Sequence, residues 1–204
     1  ISSLTATSIG KEVDYFGVAD LSSLKDYIKE YGVEEVENYS FAISSGITLP
    51  HAIVNGIANR KKRSVRVAYR HHAYDIINMR LDLIISELSS FIQKQNYMSY
   101  PIPSSKRVSD EKIAAIFSHK LAAAQAGLGW IGRHCQLITR EFGSWIRLGT
   151  VFTDMQLNFG QPMERSFCGR CTRCVEACPA GALRGNAWHP GLPRKEILDV
   201  RACD

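Results

Sequence analysis

Four of the six cysteines lie within eleven consecutive residues, in the pattern Cys-x-x-Cys-x-x-Cys-x-x-x-Cys-Pro. Thiolates at this spacing wrap one corner of an iron–sulfur cubane, and the pattern is that of bacterial ferredoxins. Structural zinc sites combine two short cysteine pairs across a longer gap, so zinc is a distant second interpretation. Disulfides are disfavoured because the chain is not a small, loop-rich scaffold. The predicted metal ligands are Cys168, Cys171, Cys174 and Cys178, with Cys203 as a further candidate.

The run alone does not show which cluster its fourth cysteine, Cys178, would bind. In two-cluster ferredoxins the cysteine before proline binds the other cluster, and the sequence holds no second run of the same kind. Either Cys178 and Cys203 complete an unusual coordination, or the native protein continues beyond Asp204 with a second motif. We expect the continuation, since the chain stops one residue after a cysteine.

A glycine-rich turn is the second candidate site. Gly127, Gly129 and Gly132 match the dinucleotide fingerprint G-x-G-x-x-G, which requires a strand before it and a helix after it. Here the pattern predicts a helix before and a strand after, so we reject a nicotinamide site of the Rossmann kind. Tight backbone packing is an alternative reason for glycine at these positions.

Composition and charge narrow the class of protein. The 204 residues suffice for one sizeable domain with a small appendage, and 45% hydrophobic and 22% charged residues are typical of a globular chain. The longest apolar-rich stretch, 76–92, is too polar to span a bilayer, and no leader opens the chain. We therefore predict a cytoplasmic protein with no membrane partner. The net charge is +5, and a dense basic segment at 60–72 is either a solvated surface turn or a phosphate-binding patch.

Hydrophobic periodicity predicts the elements that position these residues. An apolar stripe at helical spacing indicates a long helix over 73–94. A second helix is expected from Ser109 to Gly127, with Phe117 and Leu121 on its buried face and His119 opposite. Further elements are expected as strands at 15–19, 41–47 and 97–100 and as helices at 24–31 and 51–58.

Two strands are expected after the glycine turn, at 135–139 and 144–152, joined as an antiparallel hairpin. Cys135 in the first of them is interpreted as an inert buried thiol. The predicted fold is an α/β (α+β) domain around a mixed sheet over residues 1–160. A small ferredoxin-like iron–sulfur domain is expected over residues 161–204, because glycine, proline, arginine and cysteine dominate there.

Three stretches resemble the epoxyqueuosine reductase family. They are 118–133, 141–149 and the cysteine run, with Thr153 and Asp154 between them. The resemblance is specific over about 118–182 and looser upstream to Tyr15. Proteins of this family, and the related reductive dehalogenases, join a cobalamin-binding α/β domain to a ferredoxin-like domain. In the family, two 4Fe–4S clusters pass electrons to a base-off corrinoid, whose reduced cobalt acts on the epoxide of a modified guanosine in tRNA.

The resemblance implies roles for residues near the glycine turn. Trp130 is expected to pack on a corrinoid, and the three glycines to allow its close approach. His119 and Tyr100 are candidate proton donors. Each of these side chains also has a plain structural explanation, as core or surface. Arg133 and Arg147 are expected to bind corrinoid amides or a substrate anion.

This sequence departs from the family pattern at the position of the proton-donating aspartate. The tRNA enzymes carry an aspartate proton donor ahead of the glycine turn, and counting back from the turn places Ile113 at that position. The chain thus resembles a divergent branch, to which fold and cofactors transfer but the epoxide substrate does not.

The function expected from the resemblance is an oxidoreductase that depends on iron–sulfur and cobalamin. A flavodoxin or ferredoxin is the expected electron donor, and a tRNA or a small molecule the expected substrate. Two rival hypotheses remain: a non-catalytic 4Fe–4S electron-transfer protein, and a tRNA-binding protein whose cluster is structural.

Overall fold

Four strands form the main sheet, and two short ones form a second sheet. The computed structural model describes residues 12–31, 36–163 and 166–204. The strands are β1 (Tyr15–Asp20), β2 (Phe41–Thr48), β3 (Ser99–Ile102), β4 (Trp130–Ile131), β5 (Leu137–Ile138) and β6 (Ile146–Thr153). The main sheet has the order β1–β2–β6–β3, and each neighbouring pair is antiparallel. The fold is α+β, and the predicted mixed sheet is wrong for these strands.

The described part of the chain contains seven α-helices. They are α1 (Lys25–Tyr31), α2 (His51–Gly56), α3 (Arg63–Arg70), α4 (Asn78–Lys94), α5 (His119–Gln125), α6 (Arg173–Glu176) and α7 (Val200–Cys203). A π-helical segment, His71–Ile77, joins α3 to α4. Single 3-10 turns cover Ser22–Leu24, Ile57–Asn59 and Arg194–Glu196. Within the three described ranges, no helix combines the length and apolarity that a membrane span requires.

Helices cover both faces of the main sheet. Because successive strand residues point to opposite faces, β6 presents Val151 to one side and Phe152 to the other. Val151 packs in an apolar cluster with the α4 residues Leu81 and Leu88, which confirms the long helix predicted from its stripe. Phe152 belongs to a second cluster around α5, where its ring lies 4.8 Å from that of Phe117.

The second predicted helix is wrong over its first half. The helix spans only His119–Gln125, and the chain before it forms turns. Ser109 does accept the N–H of Lys112, at 3.1 Å, as an N-cap would. The chain then reverses at Ile113, whose φ is +47°, and Ala114 pairs with Ser109 in an isolated bridge. Phe117 is buried as expected, but it belongs to a loop rather than to the helix.

The predicted hairpin is also wrong. β5 pairs with β4, whereas β6 pairs with β2 and β3. Between the two predicted strands, an isolated bridge from Thr139 to Gly143 is the one β-type pairing. The intervening turn therefore carries the chain from the small sheet to the main one.

A helix does precede the glycine turn and a strand does follow it, as predicted. Gly127 ends α5 with a φ of +78°, and its N–H donates to Ala124 O at 3.1 Å. The N–H of Leu128 donates to Ala123 O at 3.0 Å, which completes a Schellman motif. Gly129 lies so close to the backbone carbonyl of Ile138 that a Cβ would overlap it.

Replacement of Gly129 with alanine tests this backbone contact. The Gly129→Ala variant should lower the free energy of unfolding by about 1–3 kcal/mol, because β4 and β5 must separate to accept the methyl group. Gly56→Ala is the matched control, since a Cβ there meets only Val65 Cγ1, at 3.9 Å. It should stabilise the protein by about 0.5–1 kcal/mol through the unfolded chain. Urea unfolding measures both, and equal effects would contradict the contact.

Candidate functional site

The cysteine run lies in a segment of turns and short helices. Cys171 is exposed, while Cys168, Cys174 and Cys178 are half-buried, and Cys203 is exposed at the end of α7. In residues 12–31, 36–163 and 166–204, no group of three or more His, Cys, Asp or Glu side chains is arranged to hold a metal ion. The set of cluster ligands, including Cys203, thus stays a prediction.

Backbone N–H groups converge on the sulfur of Cys178. Hydrogen bonds from the backbone of Ala182, then from Ala180, Leu183 and Gly181, lower the pKa of this thiol. Gly181 adopts a φ of +58°, a conformation that favours glycine. Amides aimed at a sulfur stabilise the thiolate, which is the form that iron binds.

Cys168 receives hydrogen bonds from both sides of the site. Burial raises its pKa, but the Ser166 hydroxyl, the backbone of Arg133 and the positive charge of the Arg133 guanidinium outweigh that effect and lower the pKa overall. The surroundings of Cys168 and Cys178 thus lower the pKa of each thiol and favour its thiolate form. Such donors fit an iron–sulfur cluster.

Arg133 and Trp130 lie against the cysteine segment. The Arg133 guanidinium donates to Gly169 O at 2.7 Å and also to Gly185 O. The Trp130 ring packs 5.1 Å from the ring of Phe167. The structure therefore brings together two residues expected to contact a corrinoid and the cysteines expected to bind iron.

The glycines of the turn are accounted for by the chain's own packing. A Cβ on Gly127 would overlap Gln161 O, and one on Gly132 would lie 2.5 Å from Ile138 Cδ1 and 2.9 Å from His134 Cε1. This favours the structural explanation of the G-x-G-x-x-G pattern. Their predicted approach to a corrinoid stays a prediction.

His119 is held inside the protein by both ring nitrogens. Nδ1 lies 2.8 Å from Thr150 Oγ1, and Nε2 lies 3.1 Å from Pro103 O. Because a carbonyl can only accept, Nε2 carries the hydrogen and Nδ1 accepts from the hydroxyl. Burial lowers the pKa of His119 to about 4. The ring is neutral at pH 7, and the geometry does not support the predicted proton donation near neutral pH.

Tyr100 and Arg147 are separated by the sheet architecture. Tyr100 packs within the apolar cluster around α5, with its ring 6.4 Å from that of Tyr39. Arg147 Nε donates to Asn78 Oδ1 on α4 at 3.0 Å, and the guanidinium lies 4.3 Å above the ring of Tyr74.

Two cavities flank the loop formed by residues 103–118. The larger has a volume of about 720 Å³ and the smaller about 520 Å³, both in the range of small-ligand sites. Ile113, Lys120 and Arg194 line both cavities, whereas Tyr100 lines neither. Sequence reasoning missed Arg194 and Ser104 as lining residues, because nothing in their local pattern indicates which cavity the chain brings them to.

Cys135 lines the larger cavity rather than standing in a strand. It is buried, with a φ of +63°, in the turn between β4 and β5. Lys120 Nζ lies 3.4 Å from its sulfur. The predicted burial is confirmed, and the predicted strand begins only at Leu137.

The neutral state of His119 predicts a pH effect on stability. An unfolded histidine binds its proton near pH 6.5, whereas folded His119 binds it only near pH 4. Its contribution is fully present above pH 6.5 and is lost as the pH falls towards 4. The free energy of unfolding should therefore fall more steeply over that range in the wild type than in His119→Gln. Parallel curves for the two proteins would rule out a buried neutral ring.

The two hydrogen bonds of Arg133 predict a local effect on the cysteine segment. In Arg133→Met, amide hydrogen exchange over residues 168–185 should become about tenfold faster or more, because charge-assisted bonds to Gly169 and Gly185 are lost. Arg173→Met, on exposed α6, is the matched control and should exchange like the wild type. Unchanged protection in the Arg133 variant would show that the segment is anchored elsewhere.

Comparison with known proteins gives matches to one enzyme family in sequence. No protein-family model matches the chain. An epoxyqueuosine reductase of Gloeobacter violaceus is 50% identical over 84 residues, which is 41% of this chain and 23% of that protein. One from Synechocystis is 47% identical over 94 residues, or 42% of this chain and 32% of that protein. The matched stretches thus cover about a quarter of the first relative's length and about a third of the second's.

Solved structures of low sequence identity share the fold. An epoxyqueuosine reductase with an epoxyqueuosine-modified tRNA stem loop matches with a TM-score of 0.63 and 19% identity, over 98% of this chain and 55% of that one. A catabolic reductive dehalogenase matches with a TM-score of 0.64 and 17% identity, over 94% and 26%. The predicted resemblance is confirmed at the family level: this chain is a relative of the epoxyqueuosine reductases in sequence and shares their fold, and that of reductive dehalogenases.

Proposed function

We propose that this chain is part of an oxidoreductase that reduces a nucleoside or a small molecule. The observation that carries the proposal is the position of the cysteine run, in which the pKa values of Cys168 and Cys178 are lowered and which Arg133 anchors to the glycine turn. Half of the residues in the matched stretch are identical to those of an epoxyqueuosine reductase. The reaction class follows from that relationship.

The proposed cofactors are a 4Fe–4S cluster and a corrinoid. Cys168, Cys171 and Cys174 would hold the cluster, with Cys178 and Cys203 completing it or binding a second one. When bound, the cluster supplies single electrons and a reduced corrinoid supplies a strongly nucleophilic cobalt. The larger cavity fits a broad, partly apolar ligand, since Phe117, Leu121 and Trp188 line it beside Lys120 and Arg194.

The chain's own residues prepare the site. Trp130 packs its ring against that of Phe167, the residue directly before Cys168. His119 acts as a positioning residue, because its two hydrogen bonds fix Pro103 at the start of the loop against Thr150 of β6. Ile113 lines both cavities where the family's acid is expected, so the proton must come from another group.

The proposed partners are an electron donor such as a flavodoxin or ferredoxin, in the cytoplasm, and a tRNA. The basic segment supports the tRNA, because Arg60, Lys61, Lys62, Arg63 and Arg70 are all exposed. A related structure holds a tRNA stem loop. Cations that project together from one surface bind phosphate backbones in a salt-dependent way.

Electron paramagnetic resonance of the anaerobically reconstituted protein tests the cofactors. Added cob(II)alamin should give a base-off cobalt signal stoichiometric with protein, beside a reduced-cluster signal. Iron should approach about four atoms per cluster. Cys171→Ser should lose most of the iron, while Cys135→Ser, outside the run, should keep it.

Two outcomes would decide against the proposal. An unchanged free-cobalamin spectrum beside an intact cluster signal would support the electron carrier without a corrinoid. Equal iron loss in both cysteine variants would remove the assignment of the run as the cluster site.

A further inference from the structure

We propose that Arg194 is a positioning residue that couples the cysteine run to the loop of residues 103–118. This loop forms a wall of both cavities, because Ile113 and Ala114 line the larger and the smaller one alike. Arg194 reaches the loop from a 3-10 turn in the segment that follows the cysteine run. The coupling rests on the proposed function, in which Cys178 binds a metal cluster.

The loop has a conformation that depends on partners outside it. Ile113 has a φ of +47°, in a region that β-branched residues rarely adopt. The Arg194 guanidinium donates to the carbonyl of Lys112, at 3.1 Å, and to that of Ile113, at 3.0 Å. The carbonyl of Glu111 accepts from Arg201 of α7, at 2.9 Å. Three successive carbonyls are therefore held by side chains that follow the cysteine run, and strained backbone persists where such contacts fix it.

Backbone pairing fixes the position of Arg194 itself. Its carbonyl accepts from the N–H of Ile197, at 3.0 Å, and from that of Leu198, at 2.9 Å. Ile197 and Leu198 are buried in an apolar cluster that also contains Ala182. Leu198 forms an isolated antiparallel bridge with Leu183. Arg194 is thus fixed to the stretch of chain directly after the cysteine run.

The same stretch holds the sulfur of Cys178. The backbone N–H groups of Ala182 and Leu183 donate to this sulfur, and the carbonyl of Ala182 accepts from the N–H of Asp199, at 2.8 Å. Asp199 in turn caps α7, because its side chain accepts from the N–H of Ala202 at 3.1 Å. Backbone pairing and hydrogen bonds therefore link the predicted iron ligand to both arginines that hold the loop.

A cluster bound at Cys178 would restrain this stretch, because a metal ligand cannot move independently of its metal. The restraint would pass through the paired backbone to Arg194 and favour the loop conformation that its guanidinium holds. Coupling of this kind needs a physical connection between two sites and an element with two arrangements. The loop is that element: bound to Arg194 it keeps the turn at Ile113, and released it leaves the strained φ.

Hydrogen–deuterium exchange of the full chain, before and after anaerobic reconstitution with iron and sulfide, tests the coupling. In the wild type, amides of residues 107–115 should exchange about tenfold more slowly once iron is bound. Arg194→Met should bind the same amount of iron, but its loop should exchange fast in both forms. Arg194→Lys keeps the charge without the planar guanidinium, so the exchange of its loop should be intermediate.

Lys195→Met is the matched control, because it removes an exposed charge from the same 3-10 turn and should behave like the wild type. An iron-loaded wild type whose loop exchanges as it does without iron would overturn the coupling and leave the proposed function standing. Wild-type protection of the loop in Arg194→Met would overturn it as well. Failure of the wild type to bind iron would instead remove the proposed cluster and the coupling together.

Discussion

Close contact between backbones at the glycine turn is the constraint on which the site depends. Gly129 lies against the carbonyl of Ile138, Gly127 against that of Gln161, and Gly160 against that of Ala126. A side chain at any of these positions would separate the segments. The N–H of Gly160 also donates to Val18 O of β1, at 2.9 Å. The segment around Gly160 is therefore joined both to the end of α5 and to β1, an edge strand of the main sheet.

The contacts between the glycine turn and the cysteine segment depend on this close backbone packing. Trp130 comes directly after Gly129 and its direction is set by the pairing of β4 with β5, and Arg133 follows two residues after β4 ends. Both side chains then reach the cysteine segment, one through the ring of Phe167 and the other through two carbonyl oxygens. Arg133 also lowers the pKa of Cys168, so the glycine turn acts directly on one of the predicted cluster ligands.

Sequence reasoning located the elements whose signals are local. The stripe of α4, the helix before the glycine turn and the cysteine run were found because periodicity and spacing record them directly. The hairpin failed because β6 pairs with β2 and β3, which lie far from it in sequence and which a short-range pattern cannot show, while β5 pairs with its near neighbour β4. His119 is a different case: its position opposite the apolar stripe left its surroundings open, and its partners Thr150 and Pro103 come from two other segments that the local sequence does not reveal.

The loop of residues 103–118 shows why the helix expected there does not form. Ile113 has a β-branched side chain, for which a φ of +47° is strained, so another interaction must hold it. Arg194 supplies that interaction by donating to the carbonyls of Lys112 and Ile113, at 3.1 and 3.0 Å. In a helix those carbonyls would accept from the chain itself, so the arginine and the helix compete for the same acceptors. The shape of the loop, and with it the division between the two cavities, is therefore set by the segment that follows the cysteine run.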